Sequence, residues 1–235
     1  MNAIILSLSI VALAGLINAS FSLGVSVLTL LSGNSLGLKT SHKHLLNLTA
    51  SFVIGVVIIT ILLIATTALV ITSASHGNLP IWWWYVVCLV MVVVGLLAWS
   101  FYYRPGKAGT SLWMPRGFSN FLYDRTKATR SSAEAFSLGV SSVISELPFI
   151  IAPLLVSASV LIGLQSGWQL LGLLIYTLFS SLGVLIVWAI VGSGHKLSSV
   201  QKWRETNKRF LQFSSGAGLI ILSAFVYVYI KGVNL

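Results

Sequence analysis

Glu146 is the residue of this sequence best placed to do chemistry, because it is an acid in lipid-like surroundings. The stretch AFSLGVSSVISELPFIIAPLL, Ala135 to Leu155, is apolar enough for a bilayer interior, yet it carries Glu146, Pro148 and Pro153. At 1.5 Å per residue, Glu146 lies about 16 Å into that run, close to the middle of a hydrocarbon core about 30 Å thick. A charged carboxyl group there costs at least about 2.5–3.5 kcal/mol, and more if it faces lipid. The side chain must therefore face the interior of a helix bundle, either charged and partnered or protonated. Gly139, Ser142 and Glu146 share one helical face, with Ser145 beside them. Pro148 cannot donate to the carbonyl of Ile144, nor Pro153 to that of Phe149. The sequence thus predicts a kinked or unwound helix that bares backbone oxygens next to the acid. A carboxylate, hydroxyls and carbonyls suit a hard cation or a proton. The plainer reading is a protonated Glu146 bonded to a neighbouring helix, with the prolines as mere kinks.

A second polar stretch, TLLSGNSLG from Thr29 to Gly37, could break the first apolar run at Ser32, Gly33 and Asn34 and turn polar groups toward the same centre. A simple loop is an equal reading. The candidate ion- or solute-binding set is therefore Glu146, Ser142, Ser145, Pro148, Ser32 and Asn34. No catalytic residue or cofactor is expected, and no metal is assigned. The chain has no G-x-S-x-G, no H-E-x-x-H and no P-loop. His42 and His44 flank Lys43 as a solvated cluster rather than as metal ligands. Cys88, the one cysteine, sits in an apolar run and reads as a small buried hydrophobe.

The elements that must position these groups follow from composition. Of 235 residues, 57% are hydrophobic and 8% charged, against roughly 25% charged in soluble domains. Such a chain needs lipid as its solvent, so the fold class is an all-α polytopic membrane protein. Six runs are long enough to span: 3–33, 45–73, 80–102, 132–162, 168–193 and 210–230. The first and fourth exceed a straight crossing, so they are expected to be tilted, broken or partly re-entrant. Trp82, Trp83 and Trp84 open the third run, and Trp99, Tyr102 and Tyr103 close it, as interfacial belts do. The glycine-rich SSGAG, Ser214 to Gly218, is expected to face another helix.

The net charge of +10 would suggest nucleic acid in a soluble domain, but here it resides in short loops. Loops 34–44, 103–131 and 194–209 hold 13 of the 14 Lys and Arg residues, and only Lys231 falls on the opposite side. Cytoplasmic loops attract Lys and Arg, so these three loops are expected inside and both termini outside, in a prokaryotic cytoplasmic membrane. The long basic loop divides the chain into a first three-helix repeat (1–102), a linker (103–131) and a second repeat (132–235). Three spans per group invert the second against the first. FSLGVS occurs at Phe21–Ser26 and again at Phe136–Ser141, which is read as a mark of that inverted repeat, with the first and fourth helices broken.

Six spans arranged three plus three, with FSLGVSSVISELPFIIAP in the fourth, resemble the CcdA-like and DsbD-like thiol-reductant conductors within the LysE-type exporter superfamily. The resemblance covers the architecture of the chain and about twenty residues of motif. It implies two broken helices meeting at the membrane midplane. That family's intramembrane cysteines would fall near Glu146–Pro148 and Ser32–Asn34, and neither segment contains one. Thiol exchange requires an attacking and a resolving sulfur, so what the resemblance leaves is the scaffold. The expected function is a small secondary transporter or exporter of an ion or small solute, built around Glu146. The alternative is a membrane scaffold or maturation partner that docks through loop 103–131. The expected partners are the lipid bilayer and the solute, with a homo-oligomer compatible and nucleic acid excluded.

Overall fold

The computed structural model describes residues 2–22, 24–37, 42–76, 78–101, 124–126, 128–193 and 206–233. Its principal elements are α1 (Asn2–Ser20), α2 (Gly24–Gly37), α3 (His42–Ser75), α4 (Ile81–Phe101), α5 (Ser132–Ile162), α6 (Ser166–Gly192) and α7 (Lys208–Val233). All but the short α2 are long and apolar enough to cross a membrane. Helix is the local solution because each run must satisfy its backbone internally once water is excluded. The outer surface agrees: Leu69, Val70, Leu89, Leu170 and Ile221 are 60–68% exposed, an arrangement that lipid tolerates and water does not. This is an integral membrane protein with six spanning helices.

Successive spans run antiparallel, so their ends sort into two groups. At one end Ser7 meets Tyr229, and Trp83 meets Ser159. At the other, Trp99 stacks on Phe213, and Gly192 lies against Leu46. The most extensive packing joins α3 to α5, α1 to α6 and α4 to α7, so each half of the chain packs chiefly against the other half.

Glycine permits these close approaches. A Cβ on Gly139 of α5 would collide with the carbonyl oxygen of Phe52 on α3, and one on Gly55 with that of Phe136. Likewise Gly216 leaves room for the Trp99 indole, and Gly218 lies against Ile17. The SSGAG segment thus faces its neighbours, as its small residues predict.

Three expectations are corrected. The fourth span is not broken: α5 runs unbroken through Pro148 and Pro153 and starts at a capping box in which Ser131 and Glu134 satisfy each other's backbone. The ring of Pro148 is exposed and Pro153 packs in the core, so the helix keeps its course around both missing donors. Ser32–Asn34 do not interrupt the first span, since α2 continues through them. The interruption lies earlier, after Ser20, where α1 ends in tight turns from Phe21 N to Asn18 O and from Ser22 N to Ala19 O. The two FSLGVS copies also sit at different depths. Phe21 stacks on Phe149 midway along α5 (ring centroids 5.9 Å apart), while Phe136 is the fifth residue of that helix.

Candidate functional site

The interruption between α1 and α2 opens a helix N-terminus inside the bundle. The first amides of any helix lack an intrahelical partner, and here one is taken by the acid. Gly24 N donates to Glu146 Oε1 at 3.1 Å in a buried bond spanning 122 positions of sequence. Glu146 is 5% exposed and fifteenth of the 31 residues of α5, at the middle of that helix. Its neighbours on the same face, Ser142, Ile150 and Pro153, are buried as well.

Glycine at position 24 keeps the site tight. A Cβ there would lie 3.1 Å from Val184 Cγ2, 3.3 Å from Ser22 Oγ and 3.6 Å from Ser142 Oγ. The hydroxyls of Ser22 and Ser142 therefore border the amide that holds the carboxylate. Ser142 donates to Gly139 O at 2.7 Å, and Ser145 donates to Ser142 O.

A carboxyl group at this depth needs a partner. Holding a charged acid at this depth costs at least about 2.5–3.5 kcal/mol. A helix N-terminus carries roughly half a positive charge and returns up to about 2 kcal/mol in buried geometry. A hydrogen bond to a charged group contributes about 1.5–3 kcal/mol. The α2 terminus and the Gly24 amide thus supply a polar partner for the Glu146 carboxyl group inside the bundle.

Of the residues singled out from sequence, the structure brings Glu146, Ser142 and Ser145 together and separates the others. Pro148 is exposed, and Ile144, whose carbonyl it leaves without a donor, is 44% exposed on the lipid side. Both lie about 200° around the helix from the acid, so no freed carbonyl from that pair reaches it. Ser32 is buried but bonds Leu28 O within its own helix. It lies eight residues beyond Gly24, or about 12 Å along α2. The side chain of Asn34 lies outside the described residues.

Sequence reasoning missed Gly24, Ser22, Phe21 and a second polar layer between α1 and α6. There Asn18, Tyr176 and Ser181 are buried, and Asn18 Oδ1, Tyr176 Oη and Ser181 Oγ have no regular hydrogen bond among the described residues. An asparagine in an otherwise apolar run was the available signal for Asn18. Among the described residues no three His, Cys, Asp or Glu side chains converge as metal ligands. Cys88 is buried, its thiol 3.7 Å from Ser223 O.

Two clefts open at opposite ends of the bundle, and neither is lined by Glu146, Gly24 or Ser142. One of about 380 Å³ is lined by Arg125, Thr129, Glu134, Ser137 and Ser141 at the start of α5. Ser141 lies five residues before Glu146, about 7.5 Å of helical rise but about 140° around the helix, so this cleft opens on the other face of α5 from the acid. The other, of about 220 Å³, includes Ser159, 13 residues beyond the acid and thus about 20 Å away. The stacked Phe21 and Phe149 rings lie on that second side, with Phe149 three residues past Glu146. Comparisons with protein-family profiles, curated proteins and solved structures find no match to this chain.

Proposed function

We propose that this protein is a small secondary transporter whose switching group is Glu146. The observation that carries this reading is the buried bond from Gly24 N to Glu146 Oε1 at a helix interruption midway through the bundle. Broken helices with opposed termini at mid-membrane are how transporters present backbone charge to a solute. In the cycle proposed, Glu146 takes up a proton and leaves the α2 terminus, freeing the Gly24 amide. The stacked Phe21 and Phe149 rings lie beside the acid on the side away from the start of α5.

An inverted repeat of three plus three spans accompanies this reading, with a register that FSLGVS does not mark. Its first support is the pairing of helices. Exchanging the first, second and third spans for the fourth, fifth and sixth turns the α3–α5 contact into α6–α1, turns α1–α7 into α5–α4, and leaves α4–α7 in place. Its second support is atomic. A Cβ on Gly139 would meet Phe52 O and Val56 N, and one on Gly15 would meet Tyr176 O and Ser180 N. All three correspondences share one offset (139 − 15, 176 − 52 and 180 − 56 equal 124). The same offset carries Ser22–Leu23–Gly24 onto Glu146–Leu147–Pro148. In the opposite-facing state α5 would then open at Glu146–Pro148 while the first span straightens.

The test uses proteoliposomes loaded with a pH-sensitive dye and challenged with gradients of amino acids, sugars and inorganic ions. Wild-type protein should move protons in response to at least one solute between about pH 6 and 8. Glu146→Gln, folded to the same thermal midpoint, should lose that response, and Glu146→Asp should keep part of it. A Gln variant that moves protons like wild type would make Glu146 a structural cap for α2 and remove the basis of this reading.

A further inference from the structure

The smaller cleft, at the end opposite the basic loops, has a chemistry unlike that of the central site. Three hydroxyl-bearing residues line it, Ser7, Ser159 and Tyr229, together with the amide of Asn78 and the indole of Trp84. No charged side chain is among its lining residues. The polar groups are fixed in place. Ser7 Oγ and Tyr229 Oη lie 3.1 Å apart, tying α1 to α7. Trp83 Nε1 donates to Ser159 Oγ at 2.9 Å, tying α4 to α5. Asn78 is held at the rim by a tight turn in which its N–H donates to Ser75 O, with His76 at φ 51°. Four helices and one loop therefore converge on a prearranged set of donors and acceptors.

We infer that this cleft binds a small, uncharged, hydroxyl-rich solute of the polyol or pentose class. Hydroxyls both donate and accept, so a row of them matches another such row in either polarity. An ion entering here would lose its hydration without meeting a counter-charge, at a cost of several kcal/mol. The Trp84 and Tyr229 rings supply flat apolar walls for the C–H face of such a molecule, while their polar edges remain hydrogen-bonding. A volume of about 220 Å³ equals roughly seven waters at about 30 Å³ each, below the range of drug-sized ligands. A four- or five-carbon polyol fits that space, and so does the glycerol end of a phosphatidylglycerol headgroup, which offers the same hydroxyl chemistry. The site stands apart from Glu146 and does not depend on its switching.

Saturation-transfer NMR on full-length protein in phosphatidylcholine nanodiscs, with erythritol, xylitol and xylose as probes, tests this. At least one probe should show saturable binding, and xylonate and xylosamine should bind at least about tenfold more weakly, as ions without a counter-charge. Asn78→Ala and Tyr229→Phe should each weaken the binding about tenfold, the loss of one good hydrogen bond. Glu146→Gln should leave it unchanged, which separates this site from the central one. Loss of the signal in phosphatidylglycerol nanodiscs would support the same chemistry with a lipid headgroup as its source. No saturable binding by any probe, binding unmoved in both cleft variants, or equal binding of the charged analogues would overturn the inference.

Discussion

A methyl group added to Gly139 or Gly55 has nowhere to go. Each would strike a carbonyl oxygen of the facing helix, and backbone cannot rotate aside as a side chain can. We expect Gly139→Ala and Gly55→Ala each to destabilise the protein by about 1–3 kcal/mol or more, the range for overpacked cores. Gly167→Ala, where no atom lies within 4 Å, should change the thermal midpoint in detergent little. Equal midpoints for all three variants would mean that α3 and α5 are less closely packed than described. At this scale Glu146 was legible from sequence, because an acid amid apolar residues must turn inward whatever the fold. Its partner was not. Gly24 lies 122 positions away, and nothing local to either residue encodes a contact that only the assembled bundle creates.

Helix α5 carries two prolines without parting, whereas the first span parts after Ser20, where the sequence has no proline. Proline removes a donor and adds a bulky ring, but in lipid neighbouring groups and slight adjustments absorb that loss. Counting helix breakers therefore predicted an interruption in the fourth span that is not there, beside the one in the first that is. Hydropathy located the spans themselves well, because burial in lipid is decided by each run's own composition. If α5 must open at Glu146–Pro148 in the transport cycle, Pro148 is there to weaken it. Its ring is exposed, so Pro148→Ala removes no packing. Alanine is favoured over proline within a helix by up to about 3 kcal/mol. We expect Pro148→Ala to raise the thermal midpoint and to slow transport, about tenfold for each 1.4 kcal/mol taken from the opened state. A variant that is both more stable and as fast as wild type would mean that α5 stays closed throughout.

For the molecule as a whole, the concentration of basic residues in three loops sets the expected orientation. Gly167 joins the end bearing Ser7 and Tyr229, and exposed Arg130 the basic end. With native Cys88 buried, single-cysteine labelling of intact cells is clean. Gly167→Cys should react with an impermeant maleimide from outside, and Arg130→Cys only after permeabilisation. Labelling of both from one side would overturn the proposed topology. The charge rule was readable in sequence because it concerns loops. The depths of the two FSLGVS copies were not, because a local match says nothing of where each segment sits in the bundle.

The pairing of α1 with α6, α3 with α5 and α4 with α7 also has a consequence for how the chain is made. When the ribosome has delivered the first three spans to the membrane, none of them has its main partner. Gly55 and the other small-residue faces wait in lipid until synthesis has passed residue 139, and α1 waits until α6 arrives. Closing such distant contacts is slow compared with joining neighbours. The early spans must therefore persist as separate helices, held by hydrophobicity alone, and the nascent first half is the stage at which quality control has the longest access to this protein.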